Sequence, residues 1–202
     1  MVLIKFILFI IASTFAFSLN AQEVGVKGGL NLVNMYRMDN GNRSGDMAGD
    51  YHLGGYAEFK LGNVIFLQPE LIYSREGAHK VYFFDIVFRL QLNFIQAPLL
   101  VKLKAADWLN FYLGPQVGFL ITQKIDDIGK LDGIEYKKIA LSAVGGIGLQ
   151  LNEKFEVGGR YNFGLTNWRD NVDEVADAYR ETGRTIQVYL SYRILDIADS
   201  AD

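Results

Sequence analysis

Cysteine is absent from the 202 residues, histidine occurs twice and proline three times. Without cysteine there is no disulfide framework, no thiol nucleophile and no thiolate metal site. His52 lies in a stretch of alternating residues and His79 in a polar connection, neither within a catalytic motif. Enzyme chemistry and a bound cofactor or metal are therefore not expected. Basic residues are not in excess either: 20 Lys and Arg stand against 23 Asp and Glu, for a formal net charge of −3. That excludes the basic stripe of a nucleic-acid-binding surface. Beyond residue 22 no apolar run is long enough to be a transmembrane helix.

What is present begins with a leader. Lys5 precedes an apolar run over 6–17, and small and polar residues follow to Ala21-Gln22. This is the pattern of a cleaved secretory signal peptide over residues 1–22. The run is short for a retained membrane anchor, and no cysteine follows it for lipid attachment.

From residue 23 the chain alternates apolar and polar side chains with a period of two, the mark of a strand between two unlike environments. Eight such segments cover 23–36, 51–61, 64–75, 86–104, 109–122, 138–151, 155–166 and 184–194. The connections 62–63, 105–108 and 152–154 are short, while 37–50, 76–85, 123–137 and 167–183 are long and polar. Hairpins with tight turns at one end and large loops at the other predict an eight-stranded antiparallel up-and-down transmembrane β-barrel, with short periplasmic turns and long extracellular loops. The barrel domain spans 23–194, and 195–202 is a short acidic tail. Two irregularities are expected. Pro69 cannot donate to a ladder, which predicts a bulge. In 86–104 the apolar parity changes between Phe88, Leu90 and Leu92 and Ile95, Ala97, Leu99 and Val101. That predicts a one-residue slip near Phe94 that exchanges the faces.

A soluble eight-stranded barrel would turn its apolar face inward around a ligand. Here the polar face carries Gly25, Gly29, Gly54, Gly114, Gly118, Gly146, Gly148, Gly158 and Gly164, and small residues beside large ones are what a narrow lumen needs. Tyr51, Tyr73, Trp108, Trp168 and Tyr192 cluster near stripe ends, where amphipathic rings suit the bilayer interfaces. The polar face, which also carries Lys27, Lys60, Lys102, Lys104, Arg160 and Arg193 with Glu23, Glu58, Glu70 and Glu156, is therefore read as the lumen. An unpaired charge buried there costs several kcal/mol, so Glu58, Glu70, Lys102 and Arg160 are expected to form a crossed network that plugs it. Asp170, Asp173, Glu174 and Asp177 lack the spacing of a calcium loop and read as a solvated connection.

Several stretches carry a family likeness: Glu23-Val24-Gly25-Val26-Lys27-Gly28-Gly29 directly after the leader, Leu67-Gln68-Pro69-Glu70-Leu71, Ile95-Gln96-Ala97-Pro98-Leu99, Gly114-Pro115-Gln116-Val117-Gly118 and Arg160-Tyr161-Asn162-Phe163-Gly164. Together they resemble the small outer-membrane β-barrel proteins known as PorT-like or "porin family". The resemblance implies the fold and the outer membrane of a Gram-negative envelope, and no single activity. Such barrels usually end at an aromatic residue of the last strand, whereas here residues continue past Tyr192. The expected role is structural or surface-interacting. The expected partners are outer-membrane lipid, the barrel-assembly machinery and an envelope or extracellular protein, with the chain itself a monomer. A narrow pore for ions or very small solutes and accessory work in protein secretion are the alternatives.

Overall fold

The computed structural model describes residues 23–37, 45–46, 48–83, 86–126, 137–166 and 181–196. Eight long strands and one two-residue strand make up these segments: β1 Glu23–Arg37, β2 Gly45–Asp46, β3 Ala48–Lys60, β4 Ile65–Phe83, β5 Ile86–Ala106, β6 Leu109–Asp126, β7 Ile139–Gln150, β8 Phe155–Gly164 and β9 Glu181–Asp196. The leader over 1–22, Trp168, the acidic residues 170–177 and the tail beyond Asp196 lie outside the described residues.

All pairings are antiparallel, in the order β4-β3-β1-β9-β8-β7-β6-β5, and β5 returns to β4 to close the ring. Closure leaves no strand edge unpaired in the wall. Burial is inverted relative to an aqueous fold. Lys27, Asn31, Gln68, Glu70, Arg160 and Gln187 are at most 6% exposed, whereas Leu30, Leu53 and Leu113 are at least 63% exposed. Charged residues are almost never buried in water-soluble domains unless paired, and so continuous an apolar exterior needs lipid against it. The ten residues of β8 rise about 24 Å along the axis at the usual barrel tilt, which matches the apolar band of such barrels.

The structure departs from the sequence reading at four places. Residues 76–83, expected to open a long loop, continue β4 and pair with β5 up to Phe83–Ile86. The little strand β2 joins β4 opposite Val81 and His79. Backbone N–H and C=O groups need partners beyond the bilayer as much as within it, so the ladder outlasts the side-chain alternation that marked its end. Pro69 produces no bulge: the β3–β4 register is the same on both sides of it, Tyr56 opposite Glu70 and Phe59 opposite Leu67. The missing donor removes ladder contacts without adding a residue.

The face exchange near Phe94 is also absent from β5. Leu92, Phe94, Gln96, Leu100 and Lys102 are all buried on the lumen side. A register shift does occur at this level, but the extra residue belongs to β6: Asn93 faces Thr122 and Phe94 faces Leu120, which leaves Ile121 unpaired and 55% exposed. The parity change in β5 reflects an apolar patch inside the lumen. Lastly, β9 runs past the expected end of the barrel, since Leu195 and Asp196 pair with Val24 and Glu23 beyond a register shift.

Candidate functional site

The lumen is the one place where polar chemistry collects among the described residues. Every glycine expected on the polar face lies on an inward parity of its strand, and several make room for a large neighbour. A Cβ on Gly158 would overlap the Tyr189 ring, and one on Gly148 would come within 2.6 Å of the Glu156 carboxylate. The glycines thus let rings and carboxylates from the next strand lie flat across a narrow interior.

At mid-height Glu70 on β4 receives Arg160 from β8 in a two-pronged pair, Nη1 to Oε2 and Nη2 to Oε1, both at 2.6 Å. These strands are four positions apart around the ring by either route, so the pair spans the barrel as a strut. Lys27 of β1 adds a third charged donor to Glu70 Oε1 at 2.9 Å, and Gln68 Nε2 donates to the same oxygen. A carboxylate has about four lone-pair sites, and four hydrogen bonds reach this one, three of them on Oε1. Arg160 and Lys27 also lie over the Tyr189 ring, at 4.8 and 4.3 Å from its centroid, where the ring quadrupole favours a cation.

Two more clusters flank the strut toward the short-turn end. Lys102 donates to Glu58 Oε2 at 2.7 Å. Glu156 accepts from Tyr112 Oη at 2.6 Å, Asn110 Nδ2 at 2.7 Å and Tyr189 Oη at 3.0 Å. Of the residues expected in one crossed network, Glu70 meets Arg160 and Glu58 meets Lys102, as two separate pairs. Sequence reasoning placed Lys27 and Glu156 in the lumen but not beside these groups. Tyr112 and Tyr189 it missed, although both lie on polar parities, which was the available signal.

Space in the lumen narrows from one mouth. At the short-turn end an open cleft of about 390 Å³ is lined by Glu58, Lys102, Lys104, Trp108 and Arg193. Next to the strut, between Lys27, Tyr56, Tyr112 and Glu156, the cavity shrinks to about 10 Å³, room for one water. His52 is buried above the strut, its Nδ1 donating to Asn31 Oδ1 at 2.7 Å, with no serine hydroxyl among the described residues bonded to its ring. The described residues contain no group of three or more His, Cys, Asp or Glu arranged to hold a metal.

Around the outside, Trp108 is 60% exposed at a short turn, and Tyr192 meets Phe155 with ring centroids 5.0 Å apart. Tyr51 and Tyr73 sit together farther up, at 6.2 Å.

Residues 18–169 match the family model described as outer membrane protein beta-barrel domain. The chain belongs to this family. The outer-membrane barrel has no significant match among curated proteins, but its fold recurs in solved structures. Neisserial surface protein A is 13% identical, with 84% of this chain and 96% of that one covered at a TM-score of 0.56. Ail, the attachment invasion locus protein of Yersinia pestis, is 14% identical over 85% and 98% at 0.52. OprG of Pseudomonas aeruginosa is 11% identical over 87% and 97% at 0.51. At such identities the likeness is one of fold. The barrel therefore takes the outer membrane as its solvent, with its short turns toward the periplasm.

Proposed function

We propose that this outer-membrane barrel is a closed structural element whose outer connections present an interaction surface, and that it does not serve as a diffusion channel. The observation that carries the reading is the strut: Arg160 and Glu70, buried and joined by two hydrogen bonds, cross the lumen beside a cavity whose free space is about 10 Å³. A hydrated ion needs a wider path, and pulling the pair apart would strand the Arg160 charge at low dielectric.

Planar-bilayer recording of the purified protein tests this. Wild type is expected to show no large steady current. A stable open conductance in every insertion would overturn the closed reading in favour of the narrow pore. The sequence motifs support the finer PorT-like kinship, and the leader over 1–22 supports export by a signal peptide. Interaction is read out by crosslinking in intact cells: a reproducible envelope or extracellular partner is expected, and a barrel that purifies alone as a monomer without one would count against the surface role and against secretion work.

A further inference from the structure

Above the strut lies a carboxylate that pairs with no cation among the described residues. Below, Glu23 pairs with Arg193, Glu58 with Lys102 and Glu70 with both Lys27 and Arg160, and Glu156, held by neutral donors, shares its cavity with Lys27 and Lys102. Glu76 is 3% exposed and has only neutral donors: Gln96 Nε2 at 2.7 Å and Ser74 Oγ at 3.1 Å on one oxygen, and Thr185 Oγ1 at 3.4 Å on the other. Arg75, the neighbouring cation on the same strand, pairs with Asp50 at 3.2 Å.

A second observation points to the same spot. Glu76, Gln96, Gln116, Ser142, Asn162 and Thr185 line a cavity of about 10 Å³. Asn162 is 4% exposed, and both of its side-chain polar atoms lack a hydrogen-bond partner, as does Gln96 Oε1. A buried polar group left without a partner costs about 1–3 kcal/mol, so the Asn162 amide and the Gln96 oxygen facing one pocket call for a guest. Its required properties are set by the walls. They supply oxygen, which suits hard cations. They carry one negative charge, which matches a single positive one. The volume accommodates one atom-sized guest.

We propose that the outer half of the lumen binds one monovalent metal cation, Na⁺ or K⁺, between the Glu76 carboxylate, Gln96 Oε1 and Asn162 Oδ1. The cation neutralises the carboxylate and occupies the amide oxygens. It also ties β4, β5 and β8 together at a second level above the strut.

Urea unfolding of the refolded barrel in detergent micelles, at matched ionic strength in NaCl, KCl or N-methylglucamine chloride, tests the site. The midpoint is expected to be higher in Na⁺ or K⁺ than in N-methylglucamine. A cation at ten times its Kd raises the folding constant about tenfold. The advantage should vanish in Glu76→Gln and shrink in Asn162→Ala. Equal midpoints in all three salts, or the same advantage in Glu76→Gln, would overturn the proposal, as would a larger effect of Ca²⁺ than of either monovalent ion. Should the variants fail to fold, wild-type crystals soaked in Rb⁺ or Tl⁺ decide. An anomalous peak between Glu76 and Asn162 supports the site, and its absence there refutes it.

Discussion

Arg160 and Glu70 act through their isolation from water as much as through their contact. Side-chain exposures of 1% and 0% mean that neither charge can be rehydrated once its partner leaves. Arg160→Met should therefore cost about 3–5 kcal/mol, the usual loss when one member of a buried pair is removed, read as a lower urea midpoint in micelles. Adding Glu70→Gln to the same chain should recover none of that loss, because Lys27, which pairs with Glu70 at 2.9 Å, would be stranded in its place; a recovery would mean that Lys27 is answered by another anion. Both charges were legible in the sequence, since a charge on a strand parity that otherwise carries glycine, serine and amides has nowhere to go but the lumen. Their pairing was not legible in full. Which inward residues share a height depends on strand tilt and stagger, and period-two alternation records neither, so Lys27 and Glu156 could be assigned to the interior without being assigned to Glu70 or Tyr112.

At the scale of the strand, alternation located all eight long elements and misplaced their outer ends. It reports environment, so it fell silent at Glu76 while the β4–β5 ladder went on to Phe83 and Ile86. The β6 bulge escaped for a related reason: Leu92 and Phe94 looked like a slipped stripe because apolar side chains were not expected inside a polar lumen. The extended hairpin carries a prediction. Replacing residues 79–89 by a tight turn joining Ala78 to Leu90, which already face each other, should leave heat-modifiable gel migration intact. It should change the unfolding free energy read from urea titration by less than about 1 kcal/mol, since surface loop tips tolerate such changes. Loss of the folded band would show that β2 and the hairpin tip are needed for assembly.

For the whole molecule, the decisive variable is what lies outside the wall. Leu99 sits midway along the apolar face of β5 and is 46% exposed. In a lipid bilayer Leu99→Arg should cost about 2–4 kcal/mol, measured by unfolding from liposomes. On a water-facing surface the same change would be close to neutral, so a neutral result would contradict a membrane-embedded wall. The strut has a further consequence, for assembly. Its two ends are 90 residues apart in the chain, and the Lys27 contact with Glu70 joins residues 43 apart. The Lys27 bond joins strands two positions apart around the ring and can form early, but the Arg160 bond has to wait until the wall has curled far enough to bring opposite strands within reach, so it belongs to the last step of closure. A barrel sealed in the wrong register would leave these charges facing glycine or leucine and would reopen. The strut is thus a latch that checks alignment before it locks.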